Sequence, residues 1–255
     1  MKLPIKLFAL FGLFASSSLL AEHCLYQCPA GKAGQVLQRS IYTLHNNPQT
    51  KLADWVAYKV TASTIDGPSR RRYWKADPDL APEHTLETGD YKDAHAVLGT
   101  DRGHQVPLAS FSNTPDWAQT NYLSNITPQS SALNQGPWVR LESAVRDLAR
   151  TGQDVYVVSG PLYESFFGEL PGADEEHSVP SGYFKVVMTN PVQGLQASAF
   201  VLHQNASRQD SFCYAQVTVD EVETRSGLNL LPTLPPELEA AVEGQLGSLS
   251  RLLGC

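Results

Sequence analysis

The clearest periodicity in the chain lies in "NQGPWVRLESAVRDLAR", where Trp138, Leu141, Val145 and Leu148 recur at spacings of three and four. At about 100° per residue these four fall within an arc of about 80°, which predicts a helix with one core-facing stripe and with Pro137 near its start. Two shorter helices are expected further on. "TVDE", Thr218 to Glu221, has the capping-box form, in which the threonine caps the first turn and the glutamate reaches back. "PPELEAAVEGQL" begins with prolines suited to a first turn. Strands have another signature. "WVAYKV", preceded by a turn at Asn46, Asn47 and Pro48, is rich in β-formers. "DVYVVSG" has the continuous apolar core of a strand buried on both faces. "GYFKVVM" and "LQASAFVLH", separated by "TNPVQG", read as a hairpin or adjacent strands.

The N-terminus changes the picture of compartment. "MKLPIKLFALFGLFASSSLLA" carries Lys2 and Lys6, a short apolar run broken by Gly12, then small residues ending at Ala21. That is the layout of a secretory signal peptide, and the run is short for a membrane span. Cleavage is expected after Ala21, with the bulkier Leu19 at the minus-three position. Glu22 and His23 separate Ala21 from Cys24, which argues against lipid attachment. No repeat, low-complexity run or charge block divides the remainder, so 22–255 is read as one domain. All four cysteines, Cys24, Cys28, Cys213 and Cys255, lie in it. An even count in an exported chain suggests disulfides. Of the three pairings that four cysteines allow, Cys24 with Cys28 and Cys213 with Cys255 is favoured; a zinc site is the alternative, although no CxxC pair supports it.

Charge then narrows the classes of function. Removing Lys2 and Lys6 lowers the 19 basic residues to 17 against 26 acidic ones, a balance of −9. A protein that stores or regulates nucleic acid is normally basic overall, so any polyanion handled here must meet a local patch. The best is "SRRRYWK", Ser69 to Lys75, in which Trp74 could stack on a base.

Candidate chemistry starts from "TDRGHQVPLASF", read as a short polar loop with Arg102 and His104 two positions apart. Glu142 and Arg146, four apart on the long helix, lie beside its apolar stripe. Taken alone they are a surface ion pair contributing roughly 0.3–0.5 kcal/mol, and Asn134 alone is a cap or turn residue. Taken in order, "DRGHQVPLAS", "NYLSNITPQ" and "LNQGPWVRLESAVR" resemble the DNA/RNA non-specific endonucleases of the ββα-metal (His-Me finger) fold, especially the secreted Serratia-type nucleases. "YTLHNNPQTKLADWVAYKVT", "RRRYWKADPDL", "YVVSGPLYE", "VPSGYFKVV", "FCYAQVTVDEVETRSGLNLLPTLP" and the terminal "LLGC" extend the likeness over nearly the whole mature chain.

The resemblance implies an α+β fold, with a central antiparallel sheet flanked by helices and the catalytic strand, loop and helix on one side. It implies that His104 is the general base, that Asn134 is the direct protein ligand of Mg²⁺, and that Glu142 holds metal-bound water. Arg102, Arg146 and Arg72 match arginines that meet phosphate or transition-state charge, and Asn125 matches a supporting asparagine. The favoured cysteine pairing matches the family's two disulfides. Implied as well are Mg²⁺ as cofactor, with Mn²⁺ or another divalent ion able to replace it, DNA and RNA as substrates, 5′-phosphorylated oligonucleotides as products, and a secreted or periplasmic location. No stable membrane association is expected after signal cleavage, and a homodimer remains open.

Elementary chemistry agrees with that set. Hydrolysing a phosphodiester requires an activated nucleophile, charge stabilisation on the phosphoryl oxygens and help for the leaving oxygen. Histidine can be an unprotonated base at neutral pH. A single carboxamide oxygen suits Mg²⁺, which keeps several waters. If water is the nucleophile, the ribose 2′-OH has no task, and both polymers should be cut. Two rival readings are a catalytically silent binding protein, which needs no base or metal ligand, and a phosphodiesterase or phosphatase for small substrates. "VVSGP" lacks the glycine of a nucleophile elbow. His23, His45, His84, His95, His177 and His203 are read as surface or packing residues, and "ADEEH" as a loop.

Overall fold

The computed structural model describes residues 22–190 and 194–255. The expected signal peptide, 1–21, and part of the "TNPVQG" connection lie outside the described residues. In chain order the elements are β1 (Gln35–Gln38), β2 (Thr43–Asn47), β3 (Leu52–Val60), α1 (Ala94–Leu98), β4 (Thr100–His104), β5 (Ile126–Ser130), α2 (Ser131–Leu133), α3 (Val139–Arg150), β6 (Val155–Leu162), β7 (Gly182–Thr189), β8 (Gln196–His203), β9 (Gln216–Val217), α4 (Val219–Ser226) and α5 (Pro236–Val242). Short 3₁₀ turns connect several of them. Seven strands form one antiparallel sheet in the order β1-β2-β3-β6-β7-β8-β9, and β4 pairs with β5 in a separate antiparallel ribbon. The fold is α+β.

The large sheet is covered on both faces, which is why its central strands read as continuous apolar runs rather than as alternations. On β7, Tyr183 and Val187 join the core beneath α3, whereas Phe184, Val186 and Met188 join the core beneath α4 and α5. All eight residues of β7 are buried. The α3 stripe behaves as its spacing predicts: Trp138, Leu141, Val145 and Leu148 are all buried in the first of these cores.

Local departures have local causes. Asn46 and Asn47 belong to β2, and the turn falls at 48–51, where the Asn47 Oδ1 accepts from the amides of Gln49 (2.9 Å) and Thr50 (3.3 Å). A shift in register between His45 and Asn46 marks a bulge in this hairpin. The stretch read as a polar loop at "DRGH" is strand β4. At α4, Thr218 Oγ1 accepts from the Glu221 amide at 3.0 Å. The Glu221 carboxylate instead accepts from Arg225 at 3.0 Å, so only half of the capping box is made. Disulfide bonds join Cys24 to Cys28 and Cys213 to Cys255. Among the described residues no helix is long and apolar enough to cross a membrane.

Candidate active site

The ribbon β4–β5 and the chain that leaves it build one open cleft. Side chains alternate along a strand, so Arg102 and His104 project to the same side of β4 with Gly103 turned the other way. A Cβ at Gly103 would lie 2.5 Å from Gln129 Oε1 and 2.7 Å from Gln129 Cβ, so the close packing of β4 on β5 requires glycine there. After β5, the Ser130 hydroxyl caps α2 by accepting from the Leu133 amide at 3.3 Å. A wide π-type turn, Asn134–Trp138, then carries the chain into α3, with Gly136 at φ −115°, ψ −118°. Such π-turns recur at functional sites because they rotate one side chain out of helical register. Here the displaced register turns Asn134 toward the same cleft as Glu142 and Arg146 of α3.

The cleft has a volume of about 1040 Å³, and its lining includes Arg70, Arg71, Arg72, Trp74, Arg102, His104, Asn134, Glu142 and Arg146. Five arginines against few acids make it a positive region on a negatively charged chain. Arg70 is anchored by its Nε, which donates to the Ser112 carbonyl at 2.9 Å, and its guanidinium lies 5.0 Å from the Trp117 ring centre. Arg72 is exposed on the rim.

His104 is half-buried. Its Nε2 lies 3.2 Å from Asn121 Oδ1. A carboxamide oxygen only accepts, so Nε2 carries the proton and Nδ1 presents a bare lone pair. Burial lowers the imidazole to about 4; the Asn121 bond opposes that shift and the Arg72 charge adds to it. The ring is therefore neutral at pH 7. Trp74 lies 5.4 Å from the imidazole, and the Arg102 guanidinium stands 5.8 Å from Trp74 and 5.2 Å from Tyr91. Trp74 thus serves as packing for two cleft residues rather than standing free.

Asp101 organises the metal-ligand candidate. It accepts from Ser131 Oγ (2.6 Å), Asn134 Nδ2 (2.9 Å) and Gln135 Nε2 (2.7 Å). Burial works against its ionisation, but these bonds outweigh burial and hold the carboxyl below its usual range. Because the Asn134 NH₂ is fixed on Asp101, its Oδ1 is left as the acceptor. Together with the Glu142 carboxylate it offers hard oxygen donors, which fit Mg²⁺, Ca²⁺ or Mn²⁺ better than a soft metal.

Glu142 and Arg146 do not form a direct ion pair among the described residues. Arg146 Nη2 donates to Ser143 Oγ at 2.8 Å, and its buried Nη1 has no protein partner. Burial raises the Glu142 carboxyl, with the charges of Lys185 and Arg146 opposing it. Lys185 is a fully buried cation on β7, donating to Tyr58 Oη at 3.1 Å and lying 4.2 Å from the Trp138 ring centre. Burial lowers its ammonium to about 8, and the field of Glu142 works the other way.

Asn125 is the one expected site residue that does not line the cleft. It is fully buried: its Oδ1 accepts from the Val106 amide (2.8 Å), and its Nδ2 donates to the carbonyls of Val106 (3.1 Å) and Thr120 (2.8 Å). It pins the loop after His104. Asn121, Asp101 and Lys185 were not singled out from sequence, although Asp101 stands inside the quoted motif.

A neutral imidazole with one bare nitrogen, lining the same cleft as Arg102 and Arg146, whose Nε and Nη1 respectively have no protein partner among the described residues, is equipment for hydrolysing an anionic ester. The comparisons with known proteins narrow that class. Residues 20–237 match the family described as DNA/RNA non-specific endonuclease, and the chain belongs to it. It is a hydrolytic endonuclease of nucleic acid. The chain is 44% identical over 252 residues to the nuclease of Serratia marcescens, covering 96% of this chain and 94% of that protein. It is 30% identical over 218 residues to mitochondrial endonuclease G of Homo sapiens, covering 78% and 70%. A crystal structure of the EndoG/EndoGI complex superposes with a TM-score of 0.71 at 25% identity, covering 82% of this chain and 90% of that one.

Proposed function

We propose that the protein is an exported, Mg²⁺-dependent nuclease that cuts DNA and RNA without regard to the sugar and leaves 5′-phosphorylated ends, and that 22–255 form its single catalytic domain. The observation that carries the reading is the convergence of the bare His104 Nδ1, the Asn134 Oδ1 freed by Asp101, and Glu142 in one arginine-lined cleft. Asn134 and, through water, Glu142 would hold the ion. When bound there, Mg²⁺ supplies charge for the phosphate and helps the 3′ oxygen to leave. His104 takes a proton from water as its oxygen bonds to phosphorus, and the bond from phosphorus to the 3′ oxygen breaks. Arg102, Arg146 and Arg72 meet the charge gathering on the phosphoryl oxygens. No step uses a 2′-OH, and contacts to phosphate carry little sequence information. Two disulfides are the chemistry of an oxidising compartment, which supports secretion or a periplasmic location.

Digestion of plasmid DNA and of total RNA tests this directly. Both should be degraded with Mg²⁺, neither with EDTA, and added Mn²⁺ should restore part of the activity. Cutting of a small chromogenic diester at the polymer's rate would favour the small-substrate alternative instead. The acid side gives a further expectation. Falling pH protonates Nδ1 and removes the base, and the site holds that protonation to about 4. The midpoint of the acid limb of kcat/KM should therefore lie below the ordinary histidine value of about 6.5. A midpoint at or above that value in initial rates would contradict the buried imidazole as base.

A further inference from the structure

On the face of the sheet opposite α3, where α4 meets the end of α5, carboxylates gather without a counter-charge. Ligand oxygens of Asp220, Glu223 and Glu243 all lie within 4.8 Å of one another. Asp220 and Glu223 are three apart on α4 and so share a side of it. The Asp220 amide donates to the Glu243 carbonyl at 3.1 Å, which ties the two helix ends together. Glu243 is only 8% exposed, yet among the described residues its carboxylate has no hydrogen bond or ion pair. One Glu223 oxygen accepts from the Leu230 amide at 2.7 Å. The arginine of the same helix, Arg225, is committed to Glu164 and Glu221.

Three carboxylates this close repel one another, and an acidic side chain nine-tenths buried with no protein partner is costly to keep ionised. Burial, then the charges of Glu223, Asp220 and Glu239, push Glu243 up to about 7. In a second group among the described residues, Asp90, Asp174 and Glu175, the Asp90 carboxyl accepts from the Glu87 amide and the Glu175 carboxyl from the Asp174 amide, so both have a protein donor.

We propose that Asp220, Glu223 and Glu243 bind a hard divalent cation of the calcium class, which pins α4 to the end of α5. The donors are all oxygen, with no imidazole or thiolate to recruit zinc. They come from two helix ends rather than an octahedral cage, and Ca²⁺ tolerates that irregularity where Mg²⁺ does not. A partly open site of this kind should bind with Kd on the order of 10⁻⁴ to 10⁻³ M, the range of extracellular calcium modules.

Calorimetric titration of the mature protein with CaCl₂, set beside the Glu243→Gln protein, tests the assignment. The two differ only at this cluster, so any binding in the cleft cancels. Wild type should take up one more Ca²⁺ than the variant, and its Tm should rise with Ca²⁺ to a plateau that the variant lacks. Nuclease activity with saturating Mg²⁺ should be equal in the two. The same stoichiometry and the same Tm response in both would overturn the site. The exposed Asp220→Asn repeats the comparison should Glu243→Gln fold poorly, with the same pair of outcomes deciding.

Discussion

His104→Ala is expected to lower kcat on plasmid DNA and on RNA alike by about 10²- to 10⁴-fold, the usual contribution of a positioned general base. KM should change little, because the arginines of the cleft and Asn134 keep their own anchors when the imidazole is removed. The substitution leaves Gly103 and the β4–β5 pairing in place, so near-ultraviolet circular dichroism should match wild type. Asn121→Ala should fall between the two proteins. It leaves the base but frees the imidazole to rotate or to place its proton on Nδ1, since Asn121 Oδ1 is what holds the proton on Nε2. Wild-type rates from His104→Ala would move the base elsewhere. A loss confined to RNA would mean that the 2′-OH takes part after all, which would sink the sugar-indifferent mechanism.

Why β4 was not legible as a strand bears on that site. "TDRGH" and "ITPQS" are largely polar, carry a glycine and a proline, and have none of the valines and aromatic rings of Phe, Tyr or Trp that recur in β3, β6 and β7. The ribbon is held by partners distant in sequence. Tyr91 Oη donates to the Ile126 carbonyl (3.1 Å), Tyr183 Oη to the Pro128 carbonyl (2.7 Å), and the Ser130 amide to Gln204 Oε1 (2.7 Å). No local pattern encodes these bonds. The α3 stripe was legible because one periodicity and one buried face determine it.

Roles within the site divide the same way. His104, Asn134, Glu142 and Arg146 could be named because their order along the chain matches a family. Whether Asn121 or Asn125 supports the imidazole could not be read from "NYLSN", since two asparagines four apart have the same chemistry. The fold sends one to the ring and the other to the backbone of the next loop. Lys185 was hidden by its context. In "GYFKVVM" a lysine suggests an outward-facing position, but β7 has no outward face, and Tyr183, Lys185 and Val187 all point beneath α3. Its ammonium is tolerated there through Tyr58, the Trp138 ring and the field of Glu142.

Removing the longer disulfide, by Cys213→Ser together with Cys255→Ser, should cost about 4 kcal/mol of stability. The bond spans 42 residues of sequence. In the chain-entropy treatment a loop of that size restricts the unfolded ensemble by about 4 kcal/mol, between the values for loops of about 15 and about 100 residues. For a domain of this size that corresponds to a fall in Tm of roughly 8–16 °C. The enclosed segment holds β9, α4 and α5, and its end is also held by packing: Leu249 and Leu253 are buried against the α3 core, and the Ser250 amide donates to Ser198 Oγ at 2.9 Å. Those contacts should keep the reduced segment docked at 25 °C, so nuclease activity should survive there while urea unfolds the protein at a lower midpoint. The Cys24–Cys28 bond closes a loop of only four residues and should matter less. A loss below about 1 kcal/mol from the long bond would mean that packing alone restricts the C-terminal segment, with its order surviving in the unfolded chain. A loss of activity at 25 °C would instead mean that α4 and α5 support the cleft through the sheet.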